Sequence, residues 1–154
     1  MINNKRRLKP EIRIAKMSAK DINALLEMGK AHWKDESWLT KNYIKSSFVQ
    51  PGTSYVAKSE NKVIGGIIFV YEDIVKNWIR YLIVEKKYRR QGVGKSLLQK
   101  IFGKTKKGES IFLDTGTQDR GTIAFYQKLG FKKCGMVRSL YGNKSAYFLK
   151  KTIK

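Results

Sequence analysis

The sequence predicts a mixed α/β domain built on one central sheet. Three features carry that expectation. Short stretches rich in Val, Ile, Phe and Tyr recur with strand character. Val93, Leu97, Leu98 and Ile101 fall at i, i+4, i+5 and i+8, which is one face of a helix. The elements run β-α-α-β-β-β-α-β-α-β-β, and the three strands in succession exclude a simple doubly wound fold.

Residues 11–16 alternate polar and apolar, with Ile12 and Ile14 on one face, and predict the first strand. Ser18 can cap a following helix, with Asp21 three residues on as in a capping box. Leu25, Leu26 and Met28 supply that helix's apolar side. Asp35, Glu36 and Ser37 are expected to start a second short helix that runs through Tyr43 and Ile44. Pro51-Gly52 reads as a turn. Residues 53–58 and 63–71 predict a hairpin around Glu60-Asn61, and residues 78–84 a central strand. After a glycine-bearing turn and the helix marked by Val93, residues 110–114 predict a short buried strand. Residues 122–129 predict a helix stopped by Gly130. Residues 131–137 and 146–150 close the chain as two strands.

The chain carries 33 Lys and Arg against 12 Asp and Glu, a formal charge of +21. A field of that sign attracts anions generally. Nucleic acid, a ribosome, an acidic membrane surface and a phosphorylated cofactor all qualify. The lysines are spread along the whole chain, which also fits a solvated, Lys-rich surface. No apolar run approaches the ~20 residues of a membrane span. Residues 1–10 are charged and lack the apolar centre of a secretory signal. Together these predict a cytoplasmic protein with no membrane contact. Cys134 is the only cysteine, which excludes an internal disulfide and a cysteine-based zinc site. With no histidine near it in sequence, it reads as a packing or surface thiol rather than a nucleophile. There are no repeats and no linker. The expected organisation is a basic tail over residues 1–10 and one domain over 11–154, as a monomer or homodimer, without a metal.

The informative segment is Glu85-Lys86-Lys87-Tyr88-Arg89-Arg90-Gln91-Gly92-Val93-Gly94-Lys95-Ser96, between a predicted strand and a predicted helix. A helix start leaves backbone N–H groups without internal partners and carries the positive end of the dipole. Glycines let the main chain approach a phosphate closely, and flanking basic residues add attraction. The chemistry is that of an anion cradle, and a pyrophosphate fits it. Gly94-Lys95-Ser96 matches the end of a nucleotide-binding P-loop, with residues 111–114 available as its acidic strand, but the first glycine of that motif falls on Arg89. A dinucleotide-binding Gly-x-Gly-x-x-Gly fails at Leu97. A plain strand-to-helix turn remains the bland alternative.

Two blocks together resemble the GNAT superfamily of acetyltransferases. The family's Arg/Gln-x-x-Gly-x-Gly/Ala reads here Arg89-Arg90-Gln91-Gly92-Val93-Gly94, preceded by Leu82-Ile83-Val84 and Tyr88. A second block, approximately Asn-x-x-Ala-x-x-x-Tyr-x-x-x-Gly-Phe, is matched by residues 119–131, with Tyr126 and Gly130-Phe131 at the family spacing. Asp119 replaces the Asn and Thr122 the Ala. The ending, with Gly135, Arg138, Tyr141 and Ala146, resembles the ribosomal-protein and N-terminal alanine acetyltransferases. Ser145 and Leu140 depart from that pattern, which leaves peptide specificity open.

The resemblance implies a GNAT fold, a mixed and mostly antiparallel sheet of about six to seven strands flanked by four helices. It implies an acetyl-CoA-dependent N-acetyltransferase acting on a primary amine of a protein, peptide or small molecule. The pyrophosphate is expected on the amides of about Gln91 to Lys95, with Arg89, Arg90, Gln91, Gly92, Val93, Gly94 and Lys95 around it. The pantetheine arm is expected beside Leu82, Ile83 and Val84, with Asp119 and Thr122 also at the cofactor. The amide of Val84 is placed to polarise the thioester carbonyl. Tyr126 matches the family's general acid; its alternative is a core aromatic. Asp114 stands where that subgroup carries a Glu base, one methylene shorter; its alternative is a turn or cap. Glu72, Asp73, Glu85 or a water are further base candidates. The acceptor side falls on Trp33, Glu36 and Tyr141, with His32, Asp35 and Trp38 nearby. The tryptophans also read as core, and His32 as a surface or packing residue. Two other readings stand beside the enzyme: a basic nucleic-acid- or ribosome-associated protein, and a GNAT fold that binds CoA without turnover.

Overall fold

The computed structural model describes residues 11–33, 39–46, 53–70 and 77–154. Within them the chain runs β1 (Ile12–Lys16), α1 (Ile22–His32), α2 (Lys41–Ser46), β2 (Tyr55–Ser59), β3 (Lys62–Val70), β4 (Trp78–Val84), α3 (Val93–Phe102), β5 (Ser110–Gly116), α4 (Arg120–Lys128), β6 (Lys132–Tyr141) and β7 (Lys144–Thr152). The order of elements is the expected one. The seven strands form one sheet in the order β1-β2-β3-β4-β5-β7-β6. Every neighbouring pair is antiparallel except β4 and β5, which run parallel.

Local chemistry explains most boundaries. The Ser18 amide and hydroxyl both donate to Asp21 Oδ2, at 2.8 and 2.9 Å, which fixes the entry into α1 through a short 3-10 turn. Thr40 Oγ1 accepts the Tyr43 amide at 3.0 Å at the start of α2. Glu60 and Asn61 both take positive φ, 48° and 68°, as a two-residue hairpin turn requires. The final two strands run longer than expected, to Tyr141 and from Lys144 to Thr152. Arg138 to Leu140 break the polar–apolar alternation, yet they are carried as an irregularity in the ladder between Val137 and Tyr141. The expectations at residues 1–10, 35–37, 51–52 and 71 lie outside the described residues.

The sheet separates two cores. One face packs under α3 and α4 and holds Val93, Leu97, Leu98, Ile101, Ile111, Leu113, Tyr126, Phe131 and Leu149. The other packs under α1 and α2 and holds Ile22, Leu25, Leu26, Ile44, Ile68, Tyr81 and Ile83. Tyr81 donates its hydroxyl to the Leu25 carbonyl at 2.6 Å and so ties α1 to β4. Opposite β3, β4 carries one extra residue. Ile68 pairs with Tyr81 and Phe69 with Ile79, which leaves Arg80 as the bulge. One inserted residue inverts the alternation. Ile79 therefore joins the α3–α4 core while Tyr81 and Ile83 join the α1–α2 core.

Candidate active site

The site begins where the sheet opens. Between β4 and β5 the register holds one pair among the described residues, Trp78 with Phe112. The Phe112 amide donates to the Asn77 carbonyl at 2.9 Å beside it. Beyond that point no ladder pair among the described residues joins the two strands, so a gap follows in the sheet and one edge of β4 is left unpaired along it.

Main-chain alternation decides which groups line that edge. The Glu85 amide donates to the Ile64 carbonyl at 2.8 Å, and Ile83 pairs with Gly66 two positions along. An antiparallel ladder alternates bonded and non-bonded pairs, so Ile83 spends its main-chain groups on β3 while Leu82 and Val84 turn theirs to the gap. The Ile83 side chain is buried under α1, so of the three expected pantetheine contacts only Leu82 and Val84 offer backbone groups to a ligand. The Val84 carbonyl accepts Arg89 Nε at 2.8 Å.

Beyond β4 the chain makes a 3-10 turn over Lys86–Tyr88 and enters α3 through Gly92, at φ +83°. Arg90 also takes positive φ, 62°. The first helical bond runs from the Ser96 amide to the Gly92 carbonyl at 2.9 Å, so the amides of Val93, Gly94 and Lys95 precede the ladder. No side chain among the described residues caps this start. Gln91 folds its amide back onto the Lys87 carbonyl at 2.9 Å rather than across the helix end. A Cβ built on Gly92 meets nothing within 4 Å among the described residues, which leave the space above the turn open. A Cβ on Gly94 would stand 3.2 Å from the Phe125 ring, and its absence lets α3 and α4 approach. Arg90 and Lys95 are exposed beside the turn. These donors fit a diphosphate. Arg89 turns its guanidinium the other way, to Val84 and to His32 Nδ1 at 3.3 Å.

Asp114 lies on β5, the strand facing the unpaired edge of β4, and Tyr126 of α4 packs in the α3–α4 core. Tyr126 is buried between Phe125 and Phe131, with ring centroids 5.2 and 5.3 Å away. Burial, with Asp114 adding to it, raises its phenol well above the ordinary range. Asp114 is half-buried, and burial raises its carboxyl too, opposed by hydrogen bonds from the Trp78 side chain and its own backbone amide and by the charge of Arg80. Tyr43 of α2 directs its hydroxyl to the Arg80 carbonyl at 3.5 Å. Burial raises it, with Arg80 opposing and Asp114 adding.

The remaining expected residues separate by location. Trp33 is half-buried at the end of α1, with its ring 5.5 Å from Tyr81 and 4.8 Å from His32. Tyr141 is exposed at the tip of the last hairpin. Asp119 precedes α4 and Thr122 is exposed in its first turn. His32 is held below its ordinary pKa by burial and by Arg89, with Asp119 opposing. Glu85 is tied to Lys62 at 3.2 Å and to Lys87 at 3.8 Å. Glu36, Asp35, Trp38, Glu72 and Asp73 lie outside the described residues. Sequence reasoning missed Tyr43, Arg80 and the indole of Trp78. Nothing in local spacing marks a bulge residue or a side chain that meets its partner across a strand gap.

The profile of the Acetyltransferase (GNAT) family matches residues 21–131. The chain belongs to the GNAT family of acetyltransferases. It is 33% identical to N-acetyltransferase 8 of Homo sapiens over 108 residues, 66% of this chain and 46% of that protein, so it spans about half the length of that relative. It is 30% identical to N-alpha-acetyltransferase 30 of Schizosaccharomyces pombe over 121 residues, 73% of this chain and 76% of that one. In fold, this GNAT chain superposes on Ard1 from Thermoplasma volcanium with a TM-score of 0.83 at 22% identity, covering 93% of this chain and 98% of the other. It superposes on the ribosomal-protein-S18-alanine N-acetyltransferase of Escherichia coli with a TM-score of 0.80 at 19% identity, covering 94% and 95%. Family membership implies acetyl-CoA as the acyl donor. No helix among the described residues is long and apolar enough to cross a membrane.

Proposed function

We propose that this protein transfers an acetyl group from acetyl-CoA directly to a primary amine, with protein N-termini as its main substrate class. One observation carries the reading. The unpaired edge of β4 lies between an uncapped helix start at Gly92 and the strand that carries Asp114.

The amides of Val93, Gly94 and Lys95, with Arg90 and Lys95 beside them, would hold the diphosphate. Leu82 and Val84 would hold the pantetheine arm by their outward main-chain groups. Acetyl-CoA supplies the activated thioester carbonyl. The Val84 amide faces the gap, where a donor can stabilise a developing oxyanion. Asp114 would take the proton the amine must lose, directly or through a water. Its burial raises it towards the working pH of a base. Tyr126 keeps its proton across the usable pH range, so it serves the leaving sulfur as a hydrogen-bond donor more than as a strong acid. Trp33, Glu36 and Tyr141 would border the acceptor.

The base strength favours an α-amine. An N-terminal amine has a pKa of about 7.7–8.0 and is partly neutral near pH 7.5, whereas a lysine near 10.4 is almost wholly protonated. A carboxylate suits the first task. The relationship to N-alpha-acetyltransferase 30 agrees with this preference. The test is thiol release from acetyl-CoA with a panel of N-terminal peptides, internal-lysine peptides and small amines. Turnover on free N-termini is expected. Binding of acetyl-CoA with no release for any amine would replace the reading with a CoA-binding protein, and no binding at all would remove the cradle.

A further inference from the structure

Trp78 opens β4 at the vertex of the gap, where the two halves of the sheet last touch. Its ring is stacked near-parallel with Phe112 of β5, at a centroid distance of 6.2 Å and an interplanar angle of 13°. It meets Phe148 of β7 edge-on at 5.7 Å. Phe148 is the register partner of Asp114. The indole is therefore wedged by two rings that flank the carboxylate, close enough to favour its ionised form. An indole has one donor and no acceptor. It can engage one carboxylate oxygen, and it cannot exchange roles when the group titrates.

We propose that Trp78 is the positioning residue for Asp114: its indole N–H, locked by Phe112 and Phe148, binds one carboxylate oxygen and leaves the other aimed into the gap for the acceptor amine. The proposal rests on the reading of Asp114 as the base. The donor favours the ionised carboxylate, so Trp78 keeps the base available at lower pH than burial alone would allow. The other groups that face Asp114 are Arg80 of β4, which also favours ionisation, Tyr43 of α2 and Tyr126 of α4. On β7 the facing residue is the apolar Phe148, with Lys150 two register steps further along, opposite Phe112.

The perturbation is Trp78→Phe, which keeps a ring between Phe112 and Phe148 and removes only the donor. The acid limb of the kcat/KM–pH profile is expected to move up by roughly one pH unit, the size of a hydrogen bond to a charged group. Activity at high pH should recover to within several-fold of wild type, and acetyl-CoA affinity should stay unchanged. A uniform loss at every pH with an unmoved limb would make Trp78 merely structural and overturn the proposal. Independently of any variant's folding, the Trp78 indole N–H resonance of ¹⁵N-labelled wild-type protein should titrate with the midpoint of that acid limb, and Asp114→Asn should abolish the titration. An indole signal that is flat across the limb overturns the proposal. Asp114→Asn with wild-type rates and an unchanged limb sinks the base reading instead, and the proposal with it.

Discussion

The cradle at the start of α3 makes a prediction that separates ligand binding from backbone strain. Gly92 takes φ +83°, and a Cβ placed there meets nothing within 4 Å among the described residues. Gly92→Ala therefore costs strain without a clash, roughly 1–2 kcal/mol for an L-residue in the left-handed region. At about 2.1 cal/mol/K per residue, a chain of 154 residues has an unfolding entropy near 0.3 kcal/mol/K, so the melting point should fall by roughly 3–6 °C. Gly108, in the loop between α3 and β5, has φ +87° and equally open space around a built Cβ. Gly108→Ala should lose the same stability, and Gly108 precedes β5, on the other side of the Trp78–Phe112 pair from Asp114. The two variants diverge if the space above Gly92 belongs to a diphosphate. There the methyl would hold the ligand off at least one amide. Losing one charge-assisted hydrogen bond costs about 1.5–3 kcal/mol, or roughly ten- to a hundredfold in affinity. Isothermal titration with acetyl-CoA below both melting points reads the difference. Equal melting shifts with equal, near-wild-type affinities would refute the placement of the ligand on this turn.

Three further outcomes follow from the same geometry. Tyr126→Phe should lower kcat by about tenfold or more while acetyl-CoA affinity stays near wild type, and a rate untouched at every pH would remove Tyr126 from the chemistry. Asp114→Asn should lower kcat/KM by about 10²–10⁴-fold and yet stabilise the fold at neutral pH. The folded carboxyl is raised, so the native state binds more protons than the unfolded chain between the two pKa values and stability falls as pH rises through that window. Urea unfolding at pH 7 that shows no gain would contradict the sign. Asp21 behaves in the opposite way. Burial pushes its carboxyl up, but hydrogen bonds from Lys58 and Ser18 outweigh burial and hold it below the ordinary value. That stability is present above the unfolded pKa and is lost as pH falls through the folded one. Asp21→Asn should cost roughly 2 kcal/mol at pH 7 and little once both forms are protonated; equal costs at both ends of an acid titration would refute the linkage.

The parts of the fold that sequence reveals are those governed by local rules. Val93, Leu97, Leu98 and Ile101 are all buried, as their spacing demands. Gly130 ends α4 at φ +89°. Glu60-Asn61 turns the hairpin as a two-residue loop must. The anion cradle is legible for the same reason, since glycine, helix start and basic flank are neighbours in the chain. The gap is not. It depends on β4 and β5 pairing once and then separating, a relation between residues more than thirty positions apart that no short pattern encodes. Arg80 shows the limit most clearly. A single bulge reverses which side chains of β4 meet which core, and the segment 78–84 reads as an even strand until its register with β3 is known. Arg89 is a milder case. Its position in the motif suggests a phosphate contact, whereas its guanidinium bridges Val84 and His32. A motif fixes where a residue stands and leaves the rotamer to its neighbours.

The contrast between Asp21 and Asp114 bears on how the site works. Both are withdrawn from water on the α1–α2 side of the sheet or at its gap. In a chain with 33 Lys and Arg against 12 Asp and Glu, an ammonium partner is readily available. Asp21 has one, Lys58 at 2.9 Å, together with a cap, and its carboxyl is lowered. Asp114 has the Trp78 indole and the more distant Arg80 charge near it, no salt bridge among the described residues, and its carboxyl is raised. A lysine at hydrogen-bond distance would make the ionised form more stable, but it would also weaken Asp114 as a proton acceptor and repel the incoming ammonium form of the substrate. A neutral donor orients the carboxylate without either penalty. The two acids differ in the same direction as their tasks, one holding α1 to the sheet and the other waiting for a proton.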